Sequence, residues 1–203
     1  MGRLPSAQPL PRDFYERHAL TVAPELLNKV LVAPDGRSGR IIEVEAYRGA
    51  DDPGSHGFRG PTNRTAVMFG PPGRLYVYFT YGMHWCANVV AETDGVAAAV
   101  LLRALTPLRG LDAMYTARGP AARRDRDLCS GPAKLTQALG IDGALDGANL
   151  VTGDRGVTIV DDGTPFPESP AVTTRIGLSN GSELPWRFCV AGAADLSRPL
   201  NQQ

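Results

Sequence analysis

The chain has 203 residues, enough for one domain with a substantial core, and its 21 basic residues are matched by 21 acidic ones. A net charge of zero argues against a uniformly basic nucleic-acid binder, while leaving room for a local basic patch. No stretch is long and apolar enough to span a bilayer, and Met1 to Arg12 lacks the apolar core of a secretion signal, so a cytoplasmic location is expected.

Phe14-Tyr15 and Ala23 to Leu27 predict an N-terminal helix with Pro24 in its first turn. Lys29 to Ala33 and Ile41 to Tyr47 read as strands. Arg48 to Pro72 is a polar loop rich in Gly, Pro and Asp, longer than a connection needs, which marks it as functional. Leu75 to Phe79 alternates apolar and tyrosyl residues at period two, so Tyr76 and Tyr78 share a face. Gly82 punctuates the pattern and Cys86 to Ala91 resumes it, which makes a hairpin. Ala97 to Leu105 is a longer apolar strand carrying Arg103, and Leu108 to Tyr115 is expected to be helical. Ser130-Gly-Pro-Ala-Lys-Leu135 opens a further helix, with Ser130 or Gly131 as cap, Pro132 in the first turn and Gly140 as stop. Strands at Val157 to Val160, Ala171 to Ile176 and Arg187 to Val190 complete the chain. Strands in runs with flanking helices favour an α+β fold around a mostly antiparallel sheet.

Three cysteines, Cys86, Cys129 and Cys189, are widely spaced and read as free thiols, and no Cys/His cluster has metal-ligand spacing. No metal or other cofactor is expected. The chemistry concentrates between Gly39 and Arg103. Glu43, Glu45 and Tyr47 alternate along one strand face, and carboxylates half-buried beside Tyr and His are costly unless they react. With His56 and the tyrosine ladder, the segment reads as a pocket for a flat aromatic substrate with a carboxylate aimed at it. Each residue also has a plainer reading. Glu45 can be a solvated edge-strand acid, Arg103 an ion-pair partner, His56 an idle loop residue, and Asn88 a strand asparagine satisfied by backbone. Tyr81, just before Gly82 at the hairpin tip, can fold back onto the sheet.

The ordered set Glu43-Val-Glu-Ala-Tyr47, His56, Met68-Phe69, Leu75-Tyr-Val-Tyr78, Tyr81-Gly-Met83, Cys86-Ala-Asn88, Leu101-Leu-Arg-Ala104 and Ser130-Gly-Pro-Ala-Lys-Leu135 resembles the alkyladenine (3-methyladenine) DNA glycosylases, from about Asp13 to Val190. Two departures stand out: Asn28 where the family usually has Gly, and Asn63-Arg64-Thr65 in place of the more usual Pro-Arg-Asn. The resemblance implies a single domain around a curved antiparallel sheet with a protruding hairpin, a fold shared with the C-terminal domain of a formyltransferase. It makes Glu45 the general base for a water, held also by Arg103 and the Ile176 carbonyl, while Glu43 keeps its plain reading. It sandwiches an extruded base between Tyr47 and Tyr78, near His56, with Asn88 crowding the 2-amino group of guanine. Base stacking of this kind is worth roughly 1–3 kcal/mol per base.

The same resemblance has Tyr81 filling the gap left by the flipped nucleotide, with Met83 beside it. Lys134 at a helix start, with Thr62 and Arg64 in the long loop, are candidate phosphate contacts. Arg118, Arg123, Arg124 and Arg126 form a basic run diluted by Asp125 and Asp127, better read as a solvated helix face. No lysine sits in the pocket motifs to form a Schiff base, which favours simple hydrolysis. The implied partner is double-stranded DNA containing damaged purines, bound by a monomer, at the nucleoid if the source is bacterial. The expected layout is a flexible segment at 1–12, the glycosylase domain at 13–192 and a flexible tail at 193–203. Two other functions share some of these residues. A purine nucleosidase would use the carboxylate without Tyr81, and a damage-binding protein without catalysis would not need Glu45 and Arg103 together.

Overall fold

A computed structural model describes residues 7–200. In chain order they form β1 (Gln8–Pro9), α1 (Arg12–Tyr15), α2 (Ala19–Leu26), β2 (Val30–Val32), β3 (Ser38–Arg48), β4 (Leu75–Thr80), β5 (His84–Val90) and β6 (Ala98–Arg109). Helices α3 (Leu111–Arg118), α4 (Arg126–Cys129) and α5 (Pro132–Leu139) follow, then β7 (Thr158–Asp161), β8 (Ala171–Thr173) and β9 (Arg187–Cys189). Every strand pairing is antiparallel, the main path runs β1-β7-β2-β3-β6-β5-β4, and β9 joins β3 to β8. The architecture is α+β, as its strand runs and flanking helices imply.

The long pair β3 and β6 is the spine. Its inner face, with Ile41, Val44 and Ala46 opposite Val100, Leu102 and Leu105, packs with α2 and α5 into the main core. The outer face holds the polar groups. Register shifts interrupt the pair at Ile41/Glu43 and Glu43/Val44: Glu43 pairs with Ala104 and Val44 with Leu102, so Arg103 is left unpaired. A β-bulge re-aims the side chains around it. Leu102 and Leu105 both reach the main core, while Ala104 joins Ile42, Cys189 and Leu196 in a smaller cluster on the other side.

Several expectations shift. Pro24 is the sixth residue of α2, not part of its first turn. The His18 ring accepts from the Leu20 amide and starts the helix earlier than proline signals. Leu108 and Arg109 are strand, not helix, because β3 extends back to Ser38 and pairs with Arg109. The helix begins only at Leu111, after Gly110 takes a left-handed conformation at φ 76°. β8 ends at Thr173, and Arg175 then turns into the interior. α5 runs as its signals imply, with Gly131 as N-cap, Pro132 at its start and Gly140 left-handed at its end. Asn28, where the resembling family usually has Gly, has φ 67°, which Asn tolerates better than most residues, and its side-chain amide bonds the Pro165 carbonyl.

The segments read as flexible ends are in part tied down. Gln8–Pro9 pair with β7, and Leu196 is buried against Ile42, Ala104 and Cys189. Residues 1–6 and 201–203 of those segments lie outside the described residues. All three cysteines are free and buried. Among the described residues no helix is long and apolar enough to cross a membrane, and no group of His, Cys, Asp or Glu is placed to hold a metal ion.

Candidate active site

Aromatic residues from three places line an open cavity of about 60 Å³ on the outer face of the sheet. Tyr47 comes from the end of β3, Tyr76 and Tyr78 from one face of β4, and His56 from the long loop; Met68 and Asn88 complete its walls. His56 lies edge-on to Tyr78 with ring centroids 4.5 Å apart, and Tyr76 and Tyr78 are 5.4 Å apart and tilted by 31°. The His56 Nδ1 is 3.2 Å from the Tyr76 hydroxyl. One edge of His56 remains open, while burial of the rest, with the Arg64 charge nearby, lowers its pKa and keeps the imidazole neutral near pH 7. Burial raises the Tyr76 phenol to about 12 and raises Tyr47 and Tyr78 as well, so the slot presents neutral rings. Asn88 is buried and donates to the Tyr76 carbonyl at 3.2 Å, which fixes its amide against the cavity.

The loop that carries His56 is folded around a buried ion pair. Arg175 binds both oxygens of Asp52, at 2.6 and 2.7 Å, with both side chains wholly buried. The same guanidinium lies over the Tyr47 ring, 4.6 Å from its centroid. Gly54 lines the cavity next to this pair, and a Cβ there would stand 2.9 Å from the Asn180 carbonyl oxygen. The length and composition of Arg48 to Pro72 therefore have a local cause: the loop wraps Asp52 and delivers His56 to the slot.

Beneath Tyr47 sit two further buried carboxylates, Glu43 and Glu45, both with no exposed surface. Glu45 accepts from the Tyr47 hydroxyl at 2.9 Å and from Arg103 Nη1 at 3.1 Å on one oxygen, and from the Ile176 amide at 2.7 Å on the other. Ile176 thus meets Glu45 through its N–H. Glu43 accepts from Arg103 Nε, Arg187 Nε, and the amide and hydroxyl of Ser197. Burial works against its charge, yet the Ser197 and Arg187 bonds and the Arg103 charge outweigh it and hold its carboxyl below the ordinary range. Burial also opposes the charge on Arg103, and the two glutamates overcome that and raise its pKa.

A carboxylate offers about four acceptor positions. Asp52 fills four, with two bonds from Arg175 and one each from the amides of Arg48 and Gly54. Glu43 also accepts four, three of them on Oε1 and one on Oε2. Glu45 accepts three, two on Oε2 and one on Oε1. Of these three buried acids Glu45 accepts the fewest bonds, and it alone accepts from a side chain that lines the cavity, Tyr47.

The candidate DNA contacts are more dispersed. Tyr81 and Met83 stand out at the hairpin tip, 83% and 67% exposed, with Tyr81 at φ 51° followed by Gly82 at φ 67°. Two successive left-handed residues match the twist of a tight hairpin, but the first costs a tyrosine about 1–3 kcal/mol. Arg64 donates to the Phe79 carbonyl at 3.0 Å and lies 5.4 Å over the Tyr78 ring, between slot and hairpin. Thr62 exchanges hydrogen bonds with Thr65 and so shapes its own turn. Lys134 is on α5, its ammonium 3.3 Å from the Ser130 hydroxyl, and does not line the cavity. Arg118 bonds Gln137, and Arg124 pairs with Asp127, which fits the solvated-face reading of that run.

Sequence reasoning did not single out Tyr76, Met68, Arg175, Asp52, Arg187 or Ser197 as site residues. For Tyr76 the signal was present in its shared face with Tyr78. For the others, partners lie up to 154 residues apart, as between Glu43 and Ser197, and no local pattern joins them.

An aromatic slot beside a buried carboxylate suits a flat, aromatic ligand, and the sequence comparisons give the class of protein that carries it. Residues 13–194 match the family model described as Methylpurine-DNA glycosylase (MPG). The chain is 57% identical to a Burkholderia lata protein over 96% of this chain and 93% of the relative, and 59% identical to one from Burkholderia cenocepacia over 90% and 88%. A Carboxydothermus hydrogenoformans relative is 51% identical over 88% and 93%. All three bear the name "Putative 3-methyladenine DNA glycosylase". The class is that of the DNA glycosylases, hydrolases of N-glycosyl bonds. The chain belongs to the methylpurine-DNA glycosylase family.

Proposed function

We propose that this chain extrudes alkylated or deaminated purines from duplex DNA and hydrolyses their N-glycosidic bond with a water activated by Glu45. The reading rests on Glu45, which accepts from the Tyr47 hydroxyl at the edge of the aromatic slot through Oε2 and carries a single bond on Oε1. Departure of a purine leaves an oxocarbenium-like sugar, and a carboxylate beneath C1′ both steadies that charge and takes the proton of the attacking water. Tyr47 and Tyr78 supply stacking faces, His56 adds a neutral polar edge, and Asn88 sets the space available at the 2-position of a purine.

The hairpin supports action on duplex DNA over free nucleosides. A strained, exposed tyrosine gains the folded protein little, and it has the size to fill a vacated base stack. Tyr81, Met83 and Arg64 would contact DNA near the slot, with Thr62 and Lys134 as outlying phosphate contacts, and a monomer suffices for this geometry. Neither lysine of the chain lines the cavity: Lys29 is bound to Asp161 at 2.6 Å and Lys134 lies beside Ser130. That favours hydrolysis without strand nicking through a Schiff base. The test is base release from duplex carrying a single 3-methyladenine or hypoxanthine, compared with the free nucleoside, for the natural chain and Glu45→Gln. Release from duplex by the natural chain alone is the expected result. Equal release by Glu45→Gln would remove Glu45 from its role, and preference for the nucleoside would remove the hairpin from its own.

A further inference from the structure

Arg103 has a counterpart that lies beyond the region matched by the family model. Ser197 is outside residues 13–194, yet its hydroxyl donates to Glu43 Oε1 at 2.7 Å and accepts from Arg103 Nη2 at 3.1 Å. Its amide donates to Glu43 Oε2 at 2.6 Å. The remaining faces of the guanidinium go to Glu43 through Nε at 2.9 Å and to Glu45 through Nη1 at 3.1 Å. Each nitrogen of Arg103 therefore has its own acceptor, and one of them is the Ser197 hydroxyl. The segment around Ser197 is itself anchored. Asp195 accepts from the Thr106 hydroxyl on β6 at 3.2 Å, Leu196 is buried, and the Arg198 carbonyl accepts from Arg187 Nη2 at 2.8 Å.

We propose that residues 195–198 are a strap that completes the active site, and that Ser197, with Glu43, is a positioning residue for Arg103. The inference rests on Glu45 being the group that activates water. A guanidinium on the unpaired, bulged residue of β6 is not aimed by the strand ladder alone. Glu43 can accept from Arg103 at several rotations, because carboxylate oxygens tolerate a range of approach directions. The Ser197 hydroxyl removes that freedom by bonding both partners at once, which leaves Nη1 facing Glu45. A strap made only for stability would need the apolar anchor of Leu196 but no polar atom within reach of Arg103.

Single-turnover base release at saturating enzyme separates positioning from stability. Ser197→Ala is expected to slow release by about 10- to 100-fold, the range for a small misplacement of a reacting group. Its affinity for a duplex carrying a tetrahydrofuran abasic analogue is expected to stay near that of the natural chain, and its thermal midpoint to fall by the modest amount that one lost hydrogen bond to a buried charge costs. Ser197→Thr keeps the hydroxyl and is expected to restore most of the rate. An unchanged rate in Ser197→Ala overturns the inference. So does an equal loss in both variants that tracks a fall in folded protein, since the strap would then be structural only. Glu45→Gln runs alongside: full release by that variant overturns the reading of Glu45 itself, whereas its inactivity with a normal Ser197→Ala rejects only the strap.

Discussion

Arg175 and Arg103 are both buried on the outer side of the spine, and they hold carboxylates of different kinds. Arg175 and Asp52 form a wholly buried pair in which the four acceptor positions of Asp52 are used within the protein, while Arg175 Nε has no hydrogen-bond partner. The pair folds the loop that carries His56, and its guanidinium covers one face of the Tyr47 ring. Arg103 faces two acids that differ in their other partners. Glu43 accepts from Arg187 and Ser197, away from the slot, while Glu45 accepts from the Tyr47 hydroxyl at its edge. Burial and ion pairing alone therefore do not distinguish a structural carboxylate from a reactive one; contact with the slot does.

The comparison breaks most visibly at Glu45. Glu45→Gln keeps the shape and leaves Arg103 paired with Glu43, so folding is expected to hold while base release falls about 10²- to 10⁴-fold, the usual cost of a lost general base. Single-turnover assays with lesion duplex measure it, and near-normal release would place the catalytic base elsewhere. The mirror experiment is Asp52→Ala. It strands Arg175 in the interior, and urea denaturation is expected to show a loss of about 3–5 kcal/mol, the usual result of halving a buried pair. A loss below about 1 kcal/mol would mean that the carbonyls of Ala46 and Gly181, which Arg175 also meets, suffice for it.

Smaller effects sharpen the same contrast outside the two clusters. Tyr81→Ser is expected to lower excision from duplex by roughly 10-fold or more, since extruding a base costs a few kcal/mol, with no loss of thermal stability at so exposed a site. The loss should be greatest for lesions that still pair well. A drop in stability with unchanged excision per folded molecule would show that the ring packs on the sheet. Asn88→Ser shortens the side chain that donates to the Tyr76 carbonyl and opens the cavity wall. The ratio of guanine-type to adenine-type base release is expected to rise by roughly 10-fold, the scale of one small group in a pocket. An unchanged ratio would leave Asn88 as a structural residue of β5.

What was legible in the chain itself was local. Alternation showed that Glu43, Glu45 and Tyr47 share a face, as they do, and that Tyr76 and Tyr78 do likewise. Gly82 marked the hairpin, and Gly131-Pro132 with Gly140 bounded α5, because φ > 0 and a missing N–H leave few alternatives. The resemblance pointed to Tyr47, His56, Tyr78 and Asn88, which line the slot, because the motif order carried them. Long-range geometry decided the rest. Tertiary pairing with β3 drew Leu108 and Arg109 into strand against the helical expectation, and the His18 cap moved the start of α2 away from Pro24. The division between Glu43, Glu45 and Asp52 depends on bonds from Arg103, Arg175, Arg187 and Ser197, residues up to 154 positions away from the acids they meet. Periodicity tells which face a side chain takes within its own element. Which partners reach it there is set by elements that only folding brings together, and for a buried carboxylate those partners decide whether it meets the slot or only the protein interior.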